Sequence, residues 1–368
     1  MDKILITGGA GFIGRALTAE LLEHGYAVRV LDCMLDQVHG DARPAELRDA
    51  ELLVGDVRDV GLVARALEGV DGVVHLAAEV GVGQSMYEIA RYVGTNDLGT
   101  ATLLEAIIAR RVRRIVVASS MSVYGEGLYE TVDGTRYDRG RRDPARMRDA
   151  LWDPVDEQER PLTPIRTDED KNTSLASIYA LTKYAQERAV MIFGAAYGVE
   201  SVALRLFNVF GPGQALANPY TGVLANFASR LANGQAPTIF EDGEQHRDFV
   251  HVRDVARAFR LALEQPAASG EVINVGSGHV YTVRRVAELL AHAMGVPQIA
   301  PEIMGRARSG DIRHCIADIG RARTLLGFEP RFTLEDTVGE LAEWVRGQVV
   351  VDRGAQMRRE LEARGLVS

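Results

Sequence analysis

The chain has 368 residues, of which 46% are hydrophobic and 25% charged, and its formal net charge is −9. This is ordinary globular composition, and the acidic balance disfavours nucleic acid or an anionic membrane as a partner. Two distant cysteines, Cys33 and Cys315, predict no disulfide framework and no metal site, so we expect a cytoplasmic protein. The basic residues within 139–148 lie among Asp138, Asp143 and Asp149, which predicts a solvated face.

The chain begins with a short apolar strand, Lys3–Thr7, followed by a glycine-rich turn and an amphipathic helix. Gly8 permits the tight turn, Gly11 lets the backbone approach a pyrophosphate at the helix N-terminus, and Gly14 lets helix and strand pack closely. The spacing is G-x-x-G-x-x-G. Because the glycines lie between a strand and a helix, they indicate a dinucleotide-binding site.

Acidic residues end the next two predicted strands. Asp32 follows Ala27–Leu31, where a carboxylate can accept both ribose hydroxyls and would repel a 2′-phosphate. This favours NAD over NADP as the cofactor; a merely solvated Asp is the weaker alternative. Asp56 and Val57 follow the third strand and are expected at the adenine edge.

The fourth predicted strand runs into the small residues of Asp71–Ala78, which leave room for a flat ligand at the carboxyl edge of the sheet. The glycine-rich loop Glu79–Ser85 suits a pocket wall. The fifth strand, Arg113–Ala118, continues into a row of hydroxyls that includes Ser120. Strands alternating with helices predict an α/β fold with a doubly wound parallel sheet.

Tyr179 and Lys183 are four residues apart in a segment that is typical of a helix, so both side chains lie on one face. An ammonium beside a phenol would lower the tyrosine pKa toward the range of a useful base. Such a pair is common by chance. The hydroxyls at the fifth strand give it meaning, because both features fall on the ligand side of the predicted sheet.

At this point the chain resembles the extended short-chain dehydrogenases/reductases with a Rossmann-type sheet, and specifically their NAD-dependent nucleotide-sugar epimerase/dehydratase group. The resemblance extends from Ile4 to about Arg346. It rests on ordered motifs: TGGAGFIG, GDV, HLAA, SSMSVYG, YALTK, RLFNVFGPGQ, RDFVHVRDV, NVGSG and RSGDIRH.

The resemblance implies a role for each matched residue. Ser120 would hydrogen-bond the substrate hydroxyl, Tyr179 would be the acid/base, and Lys183 would bind the nicotinamide ribose and lower the pKa of Tyr179. The residues implied for NAD are Gly8, Gly11, Phe12, Ile13, Gly14, Asp32, Asp56, Val57, Leu76, Ala77, Ala78, Asn96, Tyr179 and Lys183. Those implied for the nucleotide-sugar substrate are Val82, Ser120, Ser122, Asn208, Thr221, Val223, Arg247, Arg308 and Asp311.

Arginines in the matched motifs are expected to bind the two phosphates, a task that suits guanidinium groups. They are Arg247 and Arg308, with Asp311 in support. The alternative for each is an ion pair with a neighbouring aspartate, namely Asp248 or Asp311.

The residues after Ser120 separate two reactions. A 4,6-dehydratase of this group carries an Asp-Glu pair there, and this chain has Met121 and Ser122, neither of which can move a proton as a carboxyl does. We therefore expect an isomerase, a nucleotide-sugar 4-epimerase that passes through a transient 4-keto sugar. A non-catalytic NAD-bound scaffold is disfavoured because Ser120, Tyr179 and Lys183 are all present.

A polar insert, 126–173, separates the fifth strand from the Tyr–Lys helix and includes a short predicted helix near Pro144–Leu151. It is either a functional element or a solvated elaboration. With the run from Gly81 to Arg91, the insert resembles the branch that includes dTDP-L-rhamnose 4-epimerases. A dTDP-6-deoxyhexose such as dTDP-L-rhamnose is thus the expected substrate, with UDP-glucuronate or a UDP-hexose as the alternative.

The expected organisation is an NAD-binding domain and a smaller substrate lobe. The NAD-binding domain spans 1–205 with a return segment at 248–275, the lobe spans 206–247 and 276–348, and a charged tail follows at 349–368. The resemblance also implies a homodimer formed through the predicted helices Met86–Ala109 and Ser177–Tyr197.

Overall fold

The computed structural model of the chain describes residues 1–39, 44–216, 222–308, 310–348 and 354–367. Its centre is a seven-stranded sheet in which every neighbouring pair is parallel. The strands are β1 Lys3–Thr7, β2 Ala27–Asp32, β3 Glu51–Val54, β4 Gly72–His75, β5 Arg114–Ser120, β6 Glu200–Leu206 and β7 Val272–Val275.

The sheet order is β7-β6-β5-β4-β1-β2-β3, which confirms the doubly wound α/β fold. The order reverses between β1 and β4, and ligands of open α/β sheets bind in the crevice outside the strand ends at such a point. The side chains of β1, β4 and β5 are almost entirely buried, as expected for strands covered on both faces.

Helices cover both faces of this sheet and continue beyond it. The longer ones are α1 Phe12–Glu23, α2 Val60–Ala66, α3 Gly99–Ile108, α4 Ile178–Tyr197, α5 Val223–Ala232, α6 Val252–Glu264, α7 Val283–Ala293, α8 Gly320–Leu326, α9 Leu334–Arg346 and α10 Gly354–Ala363. Shorter helices and 3₁₀ turns are Asp36–His39, Ala45–Leu47, Val82–Ser85, Ile89–Tyr92, Met121–Tyr124, Pro144–Arg148 and Pro266–Ala268.

The helix predicted over Met86–Ala109 is interrupted in the structure. It begins at Ile89, changes to a π-helical turn at Val93–Leu98 and continues as α3. Single π turns inside helices are uncommon and often lie near functional sites. Among the described residues no helix is both long enough and apolar enough to cross a membrane.

The insert is part of a second sheet and is not a surface elaboration. Its three strands form a six-stranded sheet with three short strands from later in the chain. In sheet order these are Tyr281–Thr282, His246–Arg247, His314–Ala317, Thr163–Thr167, Leu128–Glu130 and Arg136–Tyr137. Two further parallel pairs join Asn208–Phe210 to Phe249–His251 and Thr238–Ile239 to Glu302–Ile303. The predicted helix of the insert is present at Pro144–Arg148.

The prediction of a solvated face at 139–148 is wrong for Arg142. Its side chain is only 7% exposed and forms ion pairs with Glu126 at 3.1 Å and with the buried Glu241. Glu241 also pairs with Arg313, which is buried and reaches Asp242 as well. Charges that alternate in sequence looked solvated because their partners come from distant parts of the chain.

Candidate functional site

Tyr179 lies in the first turn of α4, where it faces the end of β5. The helix begins at Ser177, whose hydroxyl accepts the backbone N–H of Ala180 at 3.1 Å and so caps the first turn. The backbone N–H of Tyr179 donates to Ser85 Oγ at 3.0 Å, which ties the helix to the loop after β4. The position of the phenol is therefore fixed from two sides.

The phenol of Tyr179 and Ser120, the last residue of β5, line the same cavity, and the serine acts on the phenol pKa. Burial raises the pKa of Tyr179, and the hydrogen bond from Ser120 opposes that rise. Ser120 Oγ also accepts the backbone N–H and the hydroxyl of Ser122, at 3.1 and 2.9 Å. Ser122 thus orients the Ser120 hydroxyl, and Ser120 favours the phenolate form of Tyr179.

Lys183 lies one turn further along α4 and is almost fully buried. Its ammonium donates to Gln186 Oε1 at 2.8 Å. Burial lowers the pKa of Lys183 to about 7, while the nearby carboxylate of Glu187 raises it. Burial dominates at the phenol and the ammonium is directed to Gln186, so the lowering of the Tyr179 pKa by Lys183 stays a prediction.

A buried polar network behind Lys183 holds Gln186 in place. The Gln186 amide nitrogen donates to Thr100 Oγ1 at 2.9 Å and lies 3.2 Å from His75 Nε2. His75 in turn contacts Thr7 Oγ1 at 2.7 Å, and burial lowers the pKa of His75 to about 3, so its ring stays neutral. Sequence reasoning missed this network, although Gln186 lies three residues after Lys183 on the same helix face.

A buried ion pair underlies the same helix. Glu187 has no exposed surface. Its carboxylate accepts hydrogen bonds from Arg205 Nε at 3.0 Å and from a terminal guanidinium nitrogen of Arg205 at 2.8 Å. It also accepts the hydroxyl of Ser119, next to Ser120, at 2.6 Å. Glu187 therefore joins α4 to β5 and β6 directly beneath the Ser–Tyr pair.

The turn between β1 and α1 has the shape of a dinucleotide cradle. Gly8 adopts a φ of +70°, and a Cβ there would lie 2.7 Å from the backbone nitrogen of Ala77; a Cβ at Gly14 would lie 2.5 Å from the Cα of Gly9. Gly11 caps α1 without any side-chain hydrogen bond, and the first turn holds no acidic residue. The N–H groups at this positive helix end are thus available to a pyrophosphate.

Asp32 ends β2 beside this turn, and its carboxylate is held by backbone N–H groups. Oδ2 accepts Ala10 N and Oδ1 accepts Met34 N, both at 2.9 Å. A carboxylate at the end of the second strand suits the ribose hydroxyls of a dinucleotide. The residues present therefore fit NAD, which would supply a hydride acceptor and donor in this crevice.

Other residues predicted for the nucleotide lie around the same edge. Asp56 forms a bidentate ion pair with Arg58, which lowers the pKa of the Asp56 carboxyl. Asn96 is fully buried, and its amide bonds to the backbone of Glu79 and to Thr182 Oγ1, so it fixes the loop after β4. Phe12 and Ile13 open α1, Val57 follows Asp56, and Leu76, Ala77 and Ala78 directly follow β4.

A cavity of about 750 Å³ opens beside Tyr179 and Ser120. It brings together the predicted substrate residues Val82, Ser120, Ser122, Asn208, Val223, Arg247, Arg308 and Asp311. Thr221, the remaining one, lies outside the described residues. The lining also includes Glu241, which the insert holds through Arg142, and Arg359 and Glu362 of the C-terminal tail, none of which was predicted.

The two predicted phosphate arginines differ in their bonding. Arg247 donates to the backbone carbonyls of His246, Ile312 and Arg313, so the alternative of an ion pair with Asp248 is wrong. Asp248 instead accepts hydrogen bonds from the backbone N–H groups of Ser277 and Gly278, and burial raises the pKa of Asp248 to about 6.

Arg308 does pair with Asp311, at 2.7 Å, and its guanidinium lies 5.4 Å from the centre of the Phe240 ring. This was the alternative to phosphate binding, yet both members of the pair line the cavity. Asn208 donates to the carbonyl of Asp248 at 2.9 Å and contacts Met121 Sδ at 3.5 Å.

Residues 4–276 match the NAD dependent epimerase/dehydratase family. The chain is 37% identical over 349 residues to the dTDP-L-rhamnose 4-epimerase of Burkholderia thailandensis, with 93% of this chain and 94% of that protein covered. Among solved structures, UDP-glucose 4-epimerase from Thermotoga maritima with UDP-glucose is 31% identical, with a TM-score of 0.77 and coverage of 94% and 99%. The Thermus thermophilus UDP-glucose 4-epimerase complex with NAD is 29% identical, with a TM-score of 0.74 and coverage of 94% and 100%.

The chain therefore belongs to the NAD-dependent epimerase/dehydratase family. It is an enzyme of the isomerase class with NAD as its cofactor, as predicted from the motifs. The predicted family and the Rossmann-type sheet are confirmed.

Proposed function

We propose that this protein is a nucleotide-sugar 4-epimerase in which Tyr179 and Ser120 move the proton of the sugar 4-hydroxyl. The observation that carries the proposal is the placement of Ser120 and Tyr179 together on the wall of a cavity that also holds Arg247 and Arg308. A sugar can reach the phenol while its diphosphate lies near the guanidinium groups.

The residues of the chain account for the proton transfers of such a reaction. Tyr179 accepts the 4-hydroxyl proton as carbon 4 is oxidised and returns it after the keto sugar has turned over. Ser120 donates to the same oxygen and stabilises the phenolate. NAD, held at the turn of Gly11 and beside Asp32, would supply the hydride acceptor and donor for carbon 4. Burial lowers the pKa of Lys183 to about 7, and in its protonated form Lys183 would stabilise anionic charge beside it.

Dehydration is disfavoured by the side chains after Ser120. Elimination across carbons 5 and 6 needs an acid and a base near carbon 6 in addition to Tyr179. Met121 and Ser122 supply neither an acid nor a base, and the Ser122 hydroxyl donates its hydrogen bond to Ser120. The cavity carboxylate of Glu241 is paired with Arg142 and Arg313. A keto intermediate would therefore return to the hydroxyl form.

The substrate we propose is a dTDP-6-deoxyhexose such as dTDP-L-rhamnose. Support comes from the similarity over nearly the full length to the Burkholderia enzyme, and from an insert that is built into the substrate lobe. UDP-glucuronate or a UDP-hexose is the second candidate, favoured by the likeness to the Thermotoga epimerase with UDP-glucose. The division into an NAD-binding domain and a substrate lobe, and a cytoplasmic location, remain proposals.

We also propose a homodimer built on α3 and α4. Large apolar side chains on these helices and the π turn before α3 are exposed, namely Leu98 at 57%, Ile108 at 52%, Leu181 at 46% and Ile192 at 61%. An exposed apolar face on two neighbouring helices is typical of an interface. Light scattering should give a mass of two chains, and Ile192→Glu should shift it to one.

The experiment that tests the function is incubation with dTDP-L-rhamnose, UDP-glucose and UDP-glucuronate, each followed by NMR of the product. The proposal requires inversion at carbon 4 of at least one, with dTDP-L-rhamnose preferred. Conversion of none would refute it, and a 4-keto-6-deoxy product would reinstate a dehydratase. Preference for a UDP sugar would replace only the substrate assignment.

A further inference from the structure

The C-terminal segment 354–367 packs onto the body of the protein at the cavity. It consists of α10 and a turn that ends in an antiparallel bridge between Val367 and Arg308. Leu361 of this helix has no exposed surface. Because Arg359 and Glu362 line the cavity with Tyr179, the segment forms part of its wall.

One attachment joins the segment to the loop after β4. The Tyr87 hydroxyl donates to Glu360 at 3.0 Å, and the Arg364 guanidinium lies 4.2 Å from the centre of the Tyr87 ring. Tyr87 follows the short helix Val82–Ser85, which contributes to the cavity wall beside Tyr179. This attachment fixes one side of α10 to the loop after β4.

A second attachment joins the segment to the substrate lobe. Arg306 donates to Glu362 at 3.0 Å, two residues before the bridge at Arg308. Glu362 thus has a basic partner, and its charge is compensated. The segment therefore spans the cavity from the loop of Tyr87 to the arginine that is expected to bind phosphate.

Arg359 differs from the other arginines of the cavity in its bonding. Arg247 donates to three carbonyls and Arg308 is paired with Asp311. The exposed side chain of Arg359 has no hydrogen-bond or ion-pair partner within the part of the chain that the structure describes. A guanidinium whose five donors are all available suits a phosphate, which it can bind in a bidentate manner.

We propose that Arg359 binds the diphosphate of the nucleotide sugar and that segment 354–367 is the outer wall that presents it. The inference rests on the proposed function, since the diphosphate is the anionic part of that substrate. Arg308, which the bridge joins to the segment, lines the same cavity as Arg359. The C-terminal tail is then a substrate-binding element.

The test measures binding of UDP, dTDP and uridine to the full-length chain by titration calorimetry. The variants are Arg359→Gln, Arg359→Lys and, as a matched control, Arg285→Gln. Arg285 lies on α7 with its side chain 55% exposed and is not part of the cavity wall. Arg359→Gln should weaken both diphosphates about tenfold and leave uridine unchanged, with Arg359→Lys intermediate and the control like wild type.

Two results would overturn the inference while leaving the function intact. In one, Arg359→Gln binds both diphosphates as wild type does. In the other, it loses uridine to the same extent as the diphosphates, which would place Arg359 at the nucleoside or in folding. If the wild-type chain binds neither UDP nor dTDP, the proposed function itself fails.

Discussion

Lys183 Nζ donates to Gln186 Oε1 at 2.8 Å, and the other end of the Gln186 amide is fixed by Thr100 and His75. A buried ammonium needs such an acceptor, because burial disfavours its charge. Gln186 is therefore a positioning residue for Lys183. It connects the helix of the Tyr–Lys pair to the carboxyl ends of β1 and β4.

Variants at Gln186 should move the pH profile in opposite directions. Gln186→Leu removes the acceptor and lowers the Lys183 pKa further, so the alkaline limb of kcat should move to lower pH and kcat at pH 8 should fall about tenfold. Gln186→Glu places a carboxylate beside the ammonium and should move that limb to higher pH. Measuring kcat against pH checks both; an unmoved limb in both variants would show that Gln186 only packs.

Removing the phenolic hydroxyl should abolish turnover without unfolding the protein. Tyr179→Phe leaves no group to take the 4-hydroxyl proton, so kcat should fall about 10²- to 10⁴-fold. Ser120→Ala removes one hydrogen bond to that oxygen and should cost about tenfold. Stopped assays with NMR detection give both values, and circular dichroism checks the fold. Near wild-type turnover by Tyr179→Phe would assign the proton transfer to another residue.

The charge network of the insert should contribute strongly to stability. Arg142→Ala leaves Glu126 and the buried Glu241 short of a partner, which should lower the free energy of unfolding by about 3 kcal/mol. Urea denaturation measures the loss. Arg141→Ala is the matched control, because that neighbouring residue is exposed and should change stability little. Equal effects of the two variants would contradict the packing of the insert.

Asp97 should destabilise the protein above pH 6. Its Oδ1 is buried without a partner within the described residues, and burial raises the pKa of Asp97 to about 6 from an ordinary value near 4. The loss of folding free energy caused by the buried Asp97 charge is present in full above pH 6. It disappears as the pH falls through the ordinary pKa, because the carboxyl is then protonated in both the folded and the unfolded chain. Asp97→Asn should raise the unfolding free energy by about 1 kcal/mol at pH 7.5 and by almost nothing at pH 4. A gain independent of pH, measured by urea denaturation, would mean that the charge is already compensated.

Local sequence patterns predicted the sheet and most of the candidate site. The burial and pairing of other side chains depend on contacts between distant parts of the chain. The glycine turn, Asp32 and the Tyr179–Lys183 spacing are encoded within a few residues, and the structure has them at the expected edge. The burial of Arg142 depends on Glu241, nearly a hundred positions away, so its neighbours in sequence gave a false picture.

Local sequence patterns also could not predict the pKa of Tyr179 or the hydrogen-bond partner of the Lys183 ammonium. Both depend on burial and on Gln186, whose own orientation is set by Thr100 on α3 and His75 on β4. A helical spacing establishes which residues share a face, but it does not establish which of them bond to one another. The place of Arg359 in the cavity required knowing where the C-terminal segment packs.

The most direct test of the central claim uses whichever nucleotide sugar is converted, prepared with deuterium at carbon 4 and followed by NMR in ordinary water. Oxidation and re-reduction at carbon 4, with Tyr179 handling only the hydroxyl proton, predict an inverted carbon 4 that keeps its deuterium. The Tyr179→Phe variant should give no inverted product. Loss of the deuterium to water would contradict the account, because it would mean that inversion proceeds by removal of a proton from carbon.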